Sequence, residues 1–574
     1  MSAAHDPVPT DWQDLPVTAG TPDPGAQAES ALDTLESPTA PVPAAPMLVS
    51  SVSAPPLPGV TAPDLRDRTE SSPSRVLGAA RGPSRRVWAD PGWWPLVAVL
   101  AVQAALSSRL VWSNTAFQDE GLYLRAGHLE WARWLHGTPI PNFPSYFSGA
   151  PVLYPPLGAL ADSIGGLAAA RILSLCFMLG VTSLLWATTA RLYGRRAALL
   201  AAALFATLAG TQFLGAFATY DAMALLLLAL AAWLGVRSVG CQFWVRTALL
   251  ISAGAVLAVA DAVKYATVLL TPVVLVVVAL AVWQRRGGGA WLSAGLTVGC
   301  SWFILILAAV AAGGRDYWLG IRTSTLDRPQ SDVAVTTILQ RAYVWTSLVL
   351  VLAVLGAVLA SRSEARAKLL PAVLAAVALL APAAQARLHT TVGLQKHVVF
   401  GAWFAAIAAG YAMARLSRVD PGRGWVAVMA LPIAASTLFG SMGQAAALYK
   451  VWANSADAVN VLRSAVRAHP GRYLAEDYDV EAYYLRAEVP WPRWSSTYYF
   501  SYPGAAPGAP SYRAAIDSHY FALVILDFGD TAGIDRQITA DMRHAGDYSI
   551  LASAGRFTIW ASRLPEPGGN HVRR

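Results

Sequence analysis

Two adjacent carboxylates, Asp119 and Glu120, stand in the stretch Phe117–Tyr123, just beyond the first long apolar segment. Charged side chains beside hydrocarbon are tolerated where they meet water, a partner or a substrate. A carboxylate so placed can take a proton from a hydroxyl group, which makes Asp119 a candidate general base. An Asp ahead of a helical stretch is also a common N-cap, and on pattern alone capping accounts for Asp119 equally well. The two roles are compatible, because a helix start favours the ionised carboxylate.

Further marks follow in order: Tyr154-Pro155-Pro156-Leu157 before the second apolar segment, Arg171 within it, Tyr220-Asp221 in the fourth, Asp261 to Tyr265 around Lys264, and Gln395-Lys396-His397 opening the tenth. Arg315 and Arg322 lie in a connection between the seventh and eighth. Each has a plain structural account: Arg171 can snorkel, Asp221 can satisfy a neighbouring helix, Lys264 can pair with Asp261, and Tyr154 can sit at the interface in a rigid turn. Taken together they gather cations and carboxylates on one face of a membrane, where a phosphate-bearing lipid head group would lie.

The elements that must position these residues follow from composition. The 574 residues are 55% hydrophobic and 14% charged, with mean hydropathy +0.43, more apolar surface than a soluble core could bury. Eleven stretches are long enough to cross a bilayer as helices: residues 93–111, 167–190, 196–212, 214–236, 246–262, 264–284, 291–312, 342–360, 369–386, 398–415 and 425–448. Alternate connections hold the basic residues, among them Arg191, Arg195, Arg237, Arg285, Arg286 and Arg415. That is the positive-inside pattern, and it accounts for the net charge of +8 better than a nucleic-acid partner does.

The expected architecture is mainly α, a polytopic membrane protein in three parts. Residues 1–85, rich in Pro, Ala, Ser, Thr and acids, read as a disordered cytoplasmic tail. Residues 86–449 read as the transmembrane domain, with external loops 112–166 and 313–341. In the first loop, Leu122, Ala126, Leu129, Ala132 and Leu135 recur at helical spacing, marking an amphipathic surface helix. The second is long enough to act as a lid, although a plain surface loop explains it nearly as well. Residues 450–574 read as a small extracytoplasmic α/β domain, with strands at Phe521–Leu526, Tyr548–Leu551 and Phe557–Trp560. Its Tyr483, Tyr484, Trp491, Trp494, Tyr498 and Tyr499 are of the type that stacks on sugar rings, or fills a small core. Cys176, Cys241 and Cys300 are too far apart in sequence to suggest a disulfide framework or a zinc cluster.

The order of these motifs, Asp-Glu, Pro-Pro-Leu, Arg in the second span, Asp in the fourth, Lys-Tyr after the fifth and Lys-His before a late span, resembles the GT-C glycosyltransferases of the family 39 type. These include dolichyl-phosphate-mannose protein mannosyltransferases and bacterial aminoarabinose transferases. The resemblance covers residues from about 93 to 415. It implies that Asp119 is the catalytic carboxylate with Glu120 as its partner, and that Tyr123 lies near the donor. It further implies that Lys264 and Lys396 approach the donor phosphate, and that Asp221 fills an acidic position in the fourth span. One departure stands out: relatives often carry Lys immediately before Pro-Pro-Leu, and here that residue is Tyr154. Another cation must then grip the phosphate, with Lys264, Arg315, Arg322, Lys396 and His397 as candidates.

The implied reaction moves a sugar, with inversion, from a polyprenyl-phosphate donor to an extracytoplasmic acceptor of the cell envelope: a cell-wall glycan, a lipid or a protein. A multi-pass plasma-membrane location, with the N-terminus cytoplasmic, follows from the charge pattern. No cofactor is required by any motif; Asp119, Glu120 and Asp221 could gather a divalent cation, but no ligand spacing demands one. The rival readings are a transporter or flippase of lipid-linked sugars, for which internal repeats would be expected, and a non-catalytic envelope-assembly protein.

Overall fold

The computed structural model describes residues 93–328, 330–361, 365–417, 424–476, 478–529 and 531–563. The tail expected over residues 1–85 lies outside them. From Pro95 onward the described residues belong to one compact unit.

Helix α1 (Trp94–Ser108) is followed by α2 (Gln118–His136), the helix expected from its spacing; its first half is buried rather than laid on a surface, and Gly137 ends it in a left-handed conformation at φ 66°. Next come α3 (Tyr154–Tyr193), α4 (Arg195–Thr207), α5 (Ala209–Leu214), α6 (Tyr220–Ser238), α7 (Phe243–Val263) and α8 (Thr271–Arg286). The bundle is completed by α9 (Ala290–Ile321), α10 (Val335–Ser361), α11 (Ala365–Ala376), α12 (Leu380–Leu388), α13 (Leu394–Leu416) and α14 (Gly424–Leu448).

Among the described residues, eight helical segments are long and apolar enough to cross a membrane. Two of the eleven stretches expected from hydropathy fall short of that length for local reasons. Helix α1 has 15 residues, and the stretch 196–212 is broken at Leu208 into two short helices of 13 and 6 residues. Helix α3 begins at Tyr154, well before the expected span, because Pro155 and Pro156 fit the first helical turn, where no backbone N–H is needed. Non-helical angles at Gly165 and Gly166 then bend it before its apolar part. The connection expected at 313–341 is largely helical: α9 bends at Gly314 (φ 67°) and continues through a π turn, Arg322–Leu326.

Helix α13 is the centre of the bundle, with 83% of its most apolar window buried, whereas the corresponding figure is 11% for Ala290–Leu326, whose Phe303, Ile304 and Leu307 face outward. Small residues let neighbours approach α13 closely: a Cβ on Gly410 would lie 2.4 Å from the Ala197 carbonyl oxygen of α4. Polarity is divided between the bundle's ends. Asp221, Lys264 and Lys396 mark one, while Arg191, Arg285 and Arg286 meet at the other, Arg286 donating to the Cys241 carbonyl at 2.8 Å.

The C-terminal part holds α15 (Ala456–Ala468), α16 (Tyr478–Tyr484), α17 (Ala509–Asp517) and α18 (Ala532–Ala545) around a five-stranded sheet of order β2-β1-β3-β5-β4. Its strands are β1 (Tyr473–Ala475), β2 (Trp494–Ser496), β3 (Leu523–Leu526), β4 (Tyr548–Ala554) and β5 (Phe557–Ser562). Strands β2, β1 and β3 run parallel, and the β4–β5 hairpin joins β3 antiparallel. The three strands read from the sequence are all present; β1 and β2, three residues each, carry too little pattern to be read.

The domain is fixed to α2 at short range. A Cβ on Gly121 would lie 2.8 Å from the Asp479 carbonyl oxygen, and Arg125 forms a buried ion pair with the Asp479 carboxylate. Tyr483 donates to Asp162 Oδ1 of α3 at 2.5 Å, and Arg486 reaches Asp162 Oδ2 at 3.0 Å.

Candidate active site

The start of α2 sorts the two leading carboxylates into different tasks. The Phe117 N–H donates to Glu120 Oε2 at 3.1 Å, so Glu120, rather than Asp119, satisfies the free donor at the helix start. Glu120 also accepts from the Ala218 N–H (2.8 Å) and, bidentately, from Arg171 (Nε to Oε1 2.8 Å, Nη2 to Oε2 2.6 Å). Arg171 gives its other donors to the carbonyls of Val111, Asn114 and Thr115. Both side chains are fully buried. The pair ties α2, α3 and the turn before α6 together, and neither residue lines the recess that Asp119 faces.

Asp119 instead faces a polar recess of about 510 Å³, shared with Tyr123, Lys264, Arg328, Lys396 and His397. Its Oδ2 accepts from Lys396 Nζ at 2.9 Å. Lys264 extends from the end of α7 to pair with Asp221, which also accepts from Thr219 Oγ1 at 3.0 Å. The sequence offered Asp261 as the partner of Lys264; Asp261 is taken up by Thr267, Thr271 and Trp302 at 2.6, 2.7 and 2.9 Å. Tyr123 donates to the Tyr220 hydroxyl at 2.8 Å, and Tyr220 meets Ser148 Oγ at 2.8 Å. Gln385 Nε2 donates to both the Val392 carbonyl (2.8 Å) and His397 Nδ1 (2.9 Å), which places the neutral imidazole's proton on Nε2.

An apolar groove of about 1010 Å³ adjoins this recess, walled by Val268, Leu269, Val377, Ala384, Leu388 and Phe400. Groove and recess share Lys264, Ser324, Thr325, Arg328 and His397. One end is thus fit for a hydrocarbon chain and the other for an anion, with three cationic side chains, Lys264, Arg328 and Lys396, against the carboxylates of Asp119 and Asp221.

Of the residues singled out in the sequence, Asp119, Tyr123, Lys264, Lys396 and His397 line the recess, and Asp221 holds Lys264 from behind. Tyr154 is wholly buried at the first turn of α3 and lines neither cavity. Arg315 is exposed beyond the bend at Gly314, and Arg322 is exposed and paired with Asp327. The cation that reaches the recess from this part of the chain is Arg328, six residues past Arg322; the sequence offered only its charge and its place in the same connection.

Asp119, Glu120 and Asp221 do not converge on a common ion, since each is bound to a different cation, Lys396, Arg171 and Lys264. The aromatic residues of the C-terminal domain are also dispersed. Tyr483 and Tyr484 brace the junction, the latter accepting from the Ala116 N–H at 2.8 Å. Trp494 belongs to the sheet's core, and Trp491 donates to the Pro139 carbonyl at 3.1 Å.

No protein-family description matches this chain, and no curated protein sequence matches it. Solved structures do match its fold. ArnT from Cupriavidus metallidurans superposes in the apo state with a TM-score of 0.55 at 16% identity, over 82% of this chain and 98% of that one. The same protein bound to undecaprenyl phosphate gives 0.54 at 15% identity, with the same coverage. The oligosaccharyltransferase AglB from Archaeoglobus fulgidus, in complex with an inhibitory peptide and a dolichol-phosphate, gives 0.51 at 13% identity, over 83% of this chain and 75% of that one. The chain therefore has the GT-C fold: a membrane helix bundle carrying a smaller C-terminal domain.

Proposed function

We propose that this protein is a membrane glycosyltransferase that takes a sugar from a polyprenyl-phosphate donor and passes it to an acceptor on the C-terminal-domain side. The observation that carries this reading is the apolar groove ending among Lys264, Arg328 and His397, with Asp119 in the adjoining recess. ArnT holding undecaprenyl phosphate and AglB holding dolichol-phosphate, on the same fold, support it.

In this reading the polyprenyl chain lies in the groove and the phosphate meets the cations. Asp119 takes the proton from the acceptor's nucleophile as that atom attacks the anomeric carbon. The bond from that carbon to the phosphate oxygen breaks, and Lys264 and Arg328 offset the charge that develops on the leaving phosphate. Lys396 stands between the base and the phosphate and steadies both. A single displacement inverts the anomeric centre. The arginine-rich end of the bundle is cytoplasmic and the C-terminal domain extracytoplasmic, as the positive-inside pattern requires.

The test is Asp119→Asn in membranes supplied with labelled polyprenyl-phosphate sugars. Transfer should be lost from a folded, inserted protein; full activity would overturn the assignment. For orientation, a cysteine introduced at exposed Tyr499 should react with an impermeant reagent in whole cells.

A further inference from the structure

A separate recess of about 670 Å³ lies between the start of α2 and the C-terminal sheet. Glu476 after β1, Glu481 on α16 and Asp527 after β3 line it. Carboxylate oxygens of Glu476, Asp527 and Asp535 lie within 4.8 Å of one another. Among the described residues, the ion pairs give this group one cation, Arg556, whose Nη2 is 2.6 Å from Asp527 Oδ2.

The carboxylates have some neutral partners. Glu476 accepts from the N–H groups of Gly529 (3.0 Å) and Thr531 (2.5 Å), and Asp535 accepts from the Phe528 N–H (3.0 Å). These bonds brace the turn after β3 and, among the described residues, leave Arg556 as the one full positive charge paired with a buried, multiply acidic group.

An independent observation points to what offsets that charge. Three oxygens on the wall of the recess, Glu481 Oε2, Gln118 Oε1 and Ser455 Oγ, have no hydrogen-bond partner, and their residues are only 3%, 3% and 2% exposed. Gln118 and Ser455 lie outside the acidic group, and Gln118 immediately precedes Asp119 in α2. A wall whose buried unpartnered atoms are all oxygen suits a hard cation, which takes carboxylate and neutral oxygens together. An anion would meet carboxylates here. A sugar hydroxyl could satisfy single oxygens but would leave the charge uncompensated.

We propose that this recess binds a divalent cation, calcium in preference to magnesium, through Glu476, Asp527 and Asp535 with Glu481, facing the oxygens of Gln118 and Ser455. Calcium accepts the larger and less regular oxygen set that such a mixed wall provides. The ion would join the turn after β3 and the end of β1 to the first residue of the helix that carries Asp119, so it would set how firmly the C-terminal domain holds that helix.

The experiment uses the full chain in detergent after chelator treatment, titrated with terbium(III) and then with calcium or magnesium chloride. Terbium emission excited through Trp452 and Tyr498, both on the recess wall, should rise to saturation and be displaced by calcium at lower concentration than by magnesium. Glu481→Gln, which keeps shape, and Asp527→Asn should each weaken calcium binding about tenfold or more, while Asp119→Asn leaves it unchanged. Three results would overturn the proposal: no saturable emission, emission indifferent to both recess variants, or emission abolished by Asp119→Asn. A carboxylate group that shares protons, or a recess that takes a sugar, gives the first of these. The readout is metal binding alone, so it stands or falls separately from glycosyl transfer.

Discussion

Lys396 Nζ donates to Asp119 Oδ2 across 2.9 Å, joining residues 277 positions apart in the chain. The proposed base and one of the proposed phosphate cations therefore neutralise each other at the mouth of the recess. A phosphate arriving from the groove would compete with Asp119 for this ammonium group. In the proposed mechanism, a turn of Lys396 toward the phosphate would leave the carboxylate to the acceptor and so couple donor arrival to the availability of the base.

Lys396→Gln should accordingly impair more than donor affinity. If Lys396 only gripped the phosphate in the ground state, its loss would raise KM and spare kcat. Because it is shared with the base and the leaving group, kcat should fall as well, by about 10²-fold. Steady-state transfer rates across donor concentrations distinguish the two outcomes, and an unchanged kcat would reduce Lys396 to a binding residue.

Glu120 should behave quite differently from its neighbour. It bonds to Arg171, Ala218 and Phe117 in a fully buried arrangement, so Glu120→Gln leaves the guanidinium without its charge partner. Loss of one partner from such a pair costs about 3–5 kcal/mol. Thermal unfolding in detergent should show a larger drop for Glu120→Gln, whose pair is wholly buried, than for Asp119→Asn, whose partner Lys396 borders the recess. A Glu120→Gln protein of normal stability and no activity would return Glu120 to the chemistry.

How far the sequence could lead is visible in these same residues. Asp119, Lys264, Lys396 and His397 were legible because a charge at the edge of an apolar segment is conspicuous, and motif order linked them. Partners were not legible. Lys264 passes over Asp261, three residues away, to reach Asp221, since Asp261 already receives two hydroxyls and an indole N–H. Spacing along one chain cannot reveal that competition. The break at Leu208 and the continuation of α9 through Arg322–Leu326 were hidden similarly, because hydropathy registers apolar length and is blind to backbone bends. In the C-terminal domain, β3 showed itself as an unbroken buried run, while β1 and β2 are held by pairing with neighbours rather than by a pattern of their own.

The substitution of Arg328 for the arginines expected nearby gives a direct comparison. Arg328 lines both groove and recess, whereas Arg315 is exposed and lines neither. Arg328→Ala should raise the KM for donor about tenfold, the loss of roughly one charge-assisted contact to phosphate. Arg315→Ala should leave it within error. Equal effects of the two substitutions would mean that the cation grip lies elsewhere.

The groove itself can be tested by filling it. Ala384 is half-buried and lines the groove from α12. Ala384→Trp would place an indole where the proposed polyprenyl chain runs, while leaving Asp119, Lys396 and the phosphate cations untouched. The affinity of a long prenyl chain comes from burying many methylenes, each contributing about 0.8 kcal/mol where it leaves water. A short-chain donor depends less on that surface and more on the charged end. The variant should therefore lose transfer from long-chain donors and retain it from short-chain analogues, as measured by competition between the two in one reaction. Equal loss with both would show that the tryptophan disturbs the recess or that the donor enters by another route.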